Sequence, residues 1–431
     1  MSAGRRDMMG QRLILAAWLW MGALGMASAQ TMEVSPPRVL VDETAVIRAQ
    51  GCQPSEHLSI QAELVDGGGN SWSSQAEFVA DAQGTIDASQ QAPSKGSYDG
   101  VSAMGLIWSM KPEEKHVTSY QPPPDLGTQV IEFSLMRNGH SIASAHMEQL
   151  GVAEGVHQIK VEGQLHGVLY LPDSIERRPG VLVVGGSEGG MPTRKAAWLA
   201  SRGYAALGLA YFRFDDLPGQ MEGIPLEYFG QALAWMTQRP EILPDHIAVV
   251  GTSRGGELAL QLGSMYPQIK AVVAYVPANV RYPGCCGDIH VPAWTWQGRP
   301  LAFVNPRLTP GNPAAIPAII AAERTHGPIL LISGENDGVW DSTRMANAVA
   351  YRLKQAHFPY PYEHLKYPHA GHRAGRPEIV PAWHGAVSNP TSGRENNLGG
   401  NAPGDAQSSL DAIPKVLEFL RASLAEQSSK K

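Results

Sequence analysis

One stretch constrains the fold more than any other: His246-Ile-Ala-Val-Val-Gly-Thr-Ser-Arg-Gly-Gly-Glu-Leu-Ala-Leu260. A short β-branched run leads into Gly251-Thr252-Ser253-Arg254-Gly255, and an apolar pattern at helical spacing follows. That order predicts a strand, a tight turn and a helix, with Ser253 at the turn apex. The turn needs its glycines. A serine held in strained backbone with its hydroxyl exposed leaves no room for side chains two residues to either side, and Gly251 and Gly255 carry none. The helix that follows aims free N–H groups and the positive end of its dipole at whatever Ser253 attacks. The pentapeptide alone is common by chance, and its flanking strand and helix make it informative.

Around this turn the pattern alternates. From about residue 155, apolar strands are predicted at 167–172 (an edge strand), 180–185, 204–211, 247–250, 271–275, 329–332 and 362–367. Helices fall at 194–202, 226–238 and, closing the chain, 415–424. Continuous apolar runs such as 180–185 are typical of parallel strands buried on both faces. The alternation predicts an α/β fold with a mostly parallel, doubly wound sheet. Residues 31 to about 150 read differently. Short alternating segments at 39–41, 45–48, 58–64 and 131–135 are punctuated by Pro36-Pro37, Gly67-Gly68-Gly69 and Pro122-Pro123-Pro124, which predicts a β-sandwich. The Pro-, Trp- and Gly-rich stretch 278–328 is expected to form a cap or loop over the sheet edge. Residues 385–409, dominated by Asn, Gly, Ser and Pro, read as a flexible surface loop.

Composition removes several function classes. With 431 residues, 43% hydrophobic and 17% charged, the chain has material for two ordinary domains. A net charge of −6 with no Lys/Arg block argues against nucleic acid or an anionic membrane as partner. Arg5, Arg6 and Arg12, an apolar run over 13–26 and Ala27-Ser28-Ala29 before Gln30 read as a cleavable export signal. That run is shorter than the roughly 20 residues a spanning helix needs, and no later segment is long and apolar enough. The mature protein is therefore expected to be exported, periplasmic or secreted, without an integral span. Three cysteines, Cys52, Cys285 and Cys286, make no disulfide framework. The adjacent pair can bridge only with strain, and Cys52 paired with either would tie the two halves together, so the pairing stays open. No Cys/His spacing suggests a zinc site.

A serine nucleophile needs a base, and the base an orienting carboxylate, which in this fold follow in the order Ser, acid, His. Asp337, in Ser333-Gly334-Glu335-Asn336-Asp337-Gly338, sits just past a strand end, where α/β sheets place active-site groups. Glu335 and Asp341 are its rivals, and Asp341 suits the cap of the next helix. His372, in Tyr367-Pro368-His369-Ala370-Gly371-His372, lies just past the last strand, with His369 and His384 as alternatives. An oxyanion hole needs two N–H donors: Arg254, after the nucleophile, and a donor from Gly185-Gly186-Ser187-Glu188-Gly189-Gly190, with Gly186 and Ser187 as candidates. This run lacks Gly-x-Gly-x-x-Gly and a Gly-Lys-Ser/Thr ending, so it is no nucleotide loop. The reading calls for no cofactor and no metal.

Taken together, these stretches resemble the acyl-CoA thioesterase and bile acid-CoA:amino acid N-acyltransferase family, whose second domain is similar to dienelactone hydrolases. The resemblance rests on Ser97-Tyr98-Asp99-Gly100-Val101-Ser102-Ala103-Met104-Gly105-Leu106-Ile107-Trp108-Ser109, on Tyr211-Phe212-Arg213-Phe214-Asp215-Asp216-Leu217-Pro218 and on Leu226-Glu227-Tyr228-Phe229. Gly251–Leu258, the Asp337 stretch to Trp340 and Ala370-Gly371-His372 complete it. After the signal peptide read over 1–29, it implies a β-sandwich domain over 30–152 and an α/β-hydrolase catalytic domain over 153–426. It also implies acyl transfer from a CoA thioester through an acyl-enzyme, with Ser253, Asp337 and His372 as nucleophile, acid and base. The family's transferase branch has cysteine as nucleophile, so serine here favours hydrolysis to free acid and CoA. The substrate is then an acyl-CoA or another acyl ester, the alternatives being an exported carboxylesterase like the dienelactone hydrolases or an acyl-CoA N-acyltransferase.

Overall fold

The computed structural model describes residues 29–304 and 313–425, and the expected export signal lies, but for Ala29, outside them. An eight-stranded sheet organises residues 156–367. Its strands, numbered along the chain, are β1 (Val156–Lys160), β2 (His166–Pro172), β3 (Arg178–Val184), β4 (Ala205–Ala210), β5 (Ile242–Thr252), β6 (Ile269–Tyr275), β7 (Ile329–Gly334) and β8 (Tyr362–Tyr367). Their spatial order is β1-β2-β4-β3-β5-β6-β7-β8. β1 and β2 run antiparallel to their neighbours, and every pairing from β4 to β8 is parallel. β4 and β7 are buried along their whole length, because helices cover both faces of the sheet.

The period-2 geometry of the strands assigns their side chains to those two faces. Val181 and Val183 of β3 join a core with helix α1 (Thr193–Ser201) and helix α5 (Ala402–Leu424). Leu182 and Val184 join the opposite core with α2 (Glu227–Thr237), α3 (Arg254–Met265) and α4 (Ser342–Gln355).

The amino-terminal strands form two sheets. One joins Thr31–Ser35, Val46–Gln50 and Ile86–Asp87. The larger is built around His57–Val65, Ser71–Val79, Thr128–Arg137 and His140–Leu150. In His57–Val65 every second residue is buried, as one solvated face requires. This sandwich shares a continuous apolar core with the α1 and α5 face of the large sheet. Its polar anchor is Asp42, which accepts from Trp198 Nε1 at 2.7 Å and Arg202 Nε at 2.8 Å, while Arg202 Nη1 reaches Glu43 at 2.9 Å.

Two expectations are corrected. The 167–172 strand is not the edge, because Val156–Lys160 pairs outside it. That outer strand is mostly exposed and carries no apolar run to announce it. The 385–409 segment is not simply a surface loop. α5 begins at Ala402, capped by the Asn401 side chain accepting from Gly404 N, and buries Gly404, Asp405, Ala406, Ser408 and Ser409. Small and polar residues serve there because backbone approaches backbone closely. The cap region 278–304 is partly ordered as short strands, Trp294–Trp296 and Arg299–Pro300, beside Ile224–Pro225. Within it Cys285 and Cys286 are bridged to each other, and Cys52 is a buried free thiol.

Candidate active site

The turn after β5 has the strain its sequence announces. Ser253 sits at φ 59° and ψ −119°, with its N–H donating to Tyr275 O at 2.9 Å. A side chain at Gly251 would collide with the Gly255 carbonyl, and one at Gly255 with the Gly185 carbonyl. The strained turn, packed this closely, is held in place by its surroundings.

Three strand ends bring the titratable groups together. Ser253 follows β5, Asp337 follows β7 and His372 follows β8, all at carboxyl ends of parallel strands. His372 Nε2 lies 2.8 Å from Ser253 Oγ, and His372 Nδ1 lies 2.8 and 2.9 Å from the two oxygens of Asp337. Asp337 Oδ1 also accepts from Val339 N at 2.9 Å and Trp340 N at 3.2 Å, so its carboxylate is fixed before it meets the imidazole. Its side chain is 1% exposed and that of His372 11%. Trp340 meets His372 edge-on at 5.5 Å and stacks on Tyr282 at 5.4 Å.

The rival residues do other things. Asp341 caps α4, accepting from Arg344 N, and Glu335 is exposed. His369 is exposed on the turn after β8, and His384 pairs with Asp405 at 3.3 Å.

Of the oxyanion-hole candidates, Gly186 is the one the structure removes. Its N–H donates to Glu188 Oε1 at 2.9 Å and so is not free for a ligand. Among the described residues, the N–H groups of Ser187 and Arg254 find no protein acceptor and flank Ser253. A cleft of about 540 Å³ lies in front of Ser253, lined by Ser187, Arg254, Tyr282, Cys285, Cys286 and Trp340, with Arg344 and Arg394 also on its walls. The Arg254 side chain turns away from the reacting atoms. It pairs with the buried Glu257 at 2.9 Å and donates to Pro283 O at 2.8 Å, which ties the cap to α3. Burial pushes the Glu257 carboxyl upward against the opposing pull of Arg254 and a hydrogen bond from Trp294.

Sequence reasoning missed the supports. The stretch taken for a loose loop buttresses the segments that carry Asp337, His372 and Ser187. Leu398 O accepts from His372 N at 2.8 Å and Gly338 N at 3.1 Å, and Asp405 accepts from Gly371 N at 2.8 Å. Asn389 Nδ2 holds Ser187 Oγ at 3.0 Å, and Thr391 Oγ1 holds Ser187 O at 2.8 Å. Lys195 was also unmarked. It lies on α1, donates to Thr252 Oγ1 and sits 4.0 Å above the Tyr275 ring. No local pattern could announce these contacts, because each spans a long separation in the chain. Among the described residues no cluster of His, Cys, Asp and Glu could hold a metal, and no helix is long and apolar enough to cross a membrane.

The sheet order and the Ser–His–Asp line at its carboxyl edge define an α/β hydrolase. Within that class the chain belongs to the acyl-CoA thioester hydrolase and bile acid-CoA:amino acid N-acyltransferase (BAAT) family. It matches the "Acyl-CoA thioester hydrolase/BAAT N-terminal region" over residues 42–163 and "BAAT / Acyl-CoA thioester hydrolase C terminal" over 224–291 and 300–426. It is 30% identical over 407 residues to acyl-coenzyme A thioesterase 6 of Mus musculus, spanning 91% of this chain and 96% of that one. It is 32% identical over 361 residues to the bile acid-CoA:amino acid N-acyltransferase of Homo sapiens, spanning 79% and 86%. Among solved structures it is similar to an α/β hydrolase enzyme from a Medee basin deep-sea metagenome library (18% identity, TM-score 0.39, 64% of this chain and 100% of that one).

Proposed function

We propose that this protein hydrolyses acyl-CoA thioesters through an acyl-enzyme on Ser253. The observation that carries the reading is the unbroken line from Asp337 through His372 to Ser253, each link 2.8 Å. His372 takes the hydroxyl proton as Ser253 attacks the acyl carbonyl, and Asp337 holds the imidazole in the tautomer that can accept it. The N–H groups of Arg254 and Ser187 receive the oxyanion. His372 then protonates the departing thiolate, and a water it deprotonates releases the carboxylic acid. The names of the relatives support the thioester, and Arg344 and Arg394 on the cleft wall suit the phosphates of a CoA.

The division into a sandwich over 30–152 and a catalytic domain over 153–426 belongs to the same proposal. So does export after cleavage at Ala27-Ser28-Ala29, which amino-terminal sequencing of the exported protein tests by finding Gln30 first. The activity is tested with an acyl-CoA series against matched p-nitrophenyl esters, with Ser253→Ala as control. Acyl-CoA preference, lost by about 10³-fold or more in the variant, supports the reading. An unchanged rate in Ser253→Ala overturns it, and cleavage of the esters alone replaces it with a carboxylesterase.

A further inference from the structure

His372 also lines a second cavity, of about 520 Å³, between α1, the ends of β3 and β5 and the segment 372–378. Its charged lining takes no part in the line from Asp337 to Ser253. Four cationic side chains, Arg194, Lys195, Arg373 and Arg376, face two carboxylates, Glu188 and Glu378. The two carboxylates are already engaged. Glu378 lies between Arg194 at 2.6 Å and Arg376 at 2.7 Å, and Glu188 accepts from Gly186 N.

Lys195 and Arg373 are left over. Lys195 meets a hydroxyl and an aromatic face, with no carboxylate in ion-pair range among the described residues. The Arg373 guanidinium makes no side-chain hydrogen bond or ion pair among the described residues, and it lines this cavity and a smaller one beside Trp108 and Asp405. Enclosure penalises both charges. It pulls Lys195 down to about 8, against the opposing pull of Glu188 and Glu378, and Arg373 down to about 10, with Arg376 adding repulsion and Asp405 and Glu378 opposing. Enclosing two cations with no carboxylate in direct contact is costly unless something of opposite charge joins them.

We propose that this cavity is a carboxylate-binding site, in which the fork of Arg373 and the ammonium of Lys195 hold the carboxylate and Val183, Met191 and Pro192 receive its alkyl portion. Two sources share that chemistry. One is the far end of an acyl chain whose near end is on Ser253; Arg373 follows His372 directly in the chain, so the site is next to the base. The other is a free carboxylic acid, the class of product that thioester hydrolysis releases. The first source rests on the function proposed above and the second does not.

The test is calorimetric titration of the protein with sodium glutarate, alongside kcat/KM for glutaryl-CoA against valeryl-CoA. Wild type, Arg373→Met, Arg373→Lys and Ser253→Ala are compared, each checked for folding by thermal melting. Wild type is expected to bind glutarate, Arg373→Met to bind it about tenfold more weakly or worse, and Arg373→Lys to fall between them. Preference for glutaryl-CoA that disappears in Arg373→Met assigns the site to the substrate's own chain end. Glutarate binding without that preference assigns it to free acids. Absence of binding to wild type, or equal binding to folded Arg373→Met, overturns the proposal. Ser253→Ala should still bind glutarate, so loss of the hydrolytic reading would leave this result readable.

Discussion

Replacing Asp337 with Asn tests the hydrogen-bond line at the one point where geometry decides the outcome. Asp337 Oδ1 accepts two backbone N–H groups, from Val339 at 2.9 Å and Trp340 at 3.2 Å. The amide oxygen of an asparagine must therefore stay at Oδ1, since an NH₂ group there would face two donors. That places the amide nitrogen at Oδ2, 2.8 Å from His372 Nδ1. The amide nitrogen then stands nearer Nδ1 than the amide oxygen, which lies 2.9 Å away at Oδ1, and a donor facing Nδ1 favours the imidazole proton on Nε2, 2.8 Å from Ser253 Oγ. An Nε2 that already carries its proton cannot take one from the hydroxyl. Trapping the wrong tautomer in this arrangement costs about 10⁴ in kcat, roughly 5 kcal/mol of transition-state stabilisation. The shape of the side chain is unchanged, so KM and the melting temperature should move little. The assay is release of free thiol from acyl-CoA, read with a thiol reagent, on wild type and Asp337→Asn. A folded variant that loses less than about tenfold in kcat would refute the tautomer argument and with it the assignment of Asp337 as the orienting acid.

Two further perturbations report on the frame. Glu378 is buried, which opposes ionisation, yet Arg376 and Arg194 win and hold its carboxyl down at about 2. A drop from the ordinary 4.5 to about 2 corresponds to roughly 3 kcal/mol, fully present above pH 4.5 and lost as pH falls toward 2. Urea unfolding of Glu378→Gln should show that deficit at pH 7 and a shrinking gap to wild type as pH approaches 3. A gap independent of pH would dismiss the ionic account. Arg202→Ala leaves the Asp42 side chain, 1% exposed, with Trp198 as its one remaining side-chain hydrogen-bond donor among the described residues. Breaking such a buried pair costs about 3–5 kcal/mol, and a measured loss below about 1 kcal/mol would mean the sandwich docks by its apolar core alone.

The sequence alone determined the parts governed by short-range rules. Period-2 runs between turn residues marked the sandwich, apolar runs alternating with helical stretches marked the parallel sheet, and Gly251 and Gly255 marked the turn that strains Ser253. Strand ends followed by Gly-containing loops put Asp337 and His372 ahead of rivals that stayed open, and the fold brings both beside Ser253, because a parallel sheet delivers its carboxyl ends to one edge. Tertiary structure alone decided the rest. That Gly186 gives its N–H to Glu188 while Ser187 keeps its own depends on a side chain folding back. That Asn389, Leu398 and Asp405 brace the three loops of the site depends on contacts across gaps as wide as 202 residues. That Arg373 and Lys195 end up enclosed and unpaired depends on where Glu378 spends its two oxygens. Local propensity and periodicity are written residue by residue, whereas the pairing of one buried polar group excludes another, and that competition is settled only when the whole chain has folded.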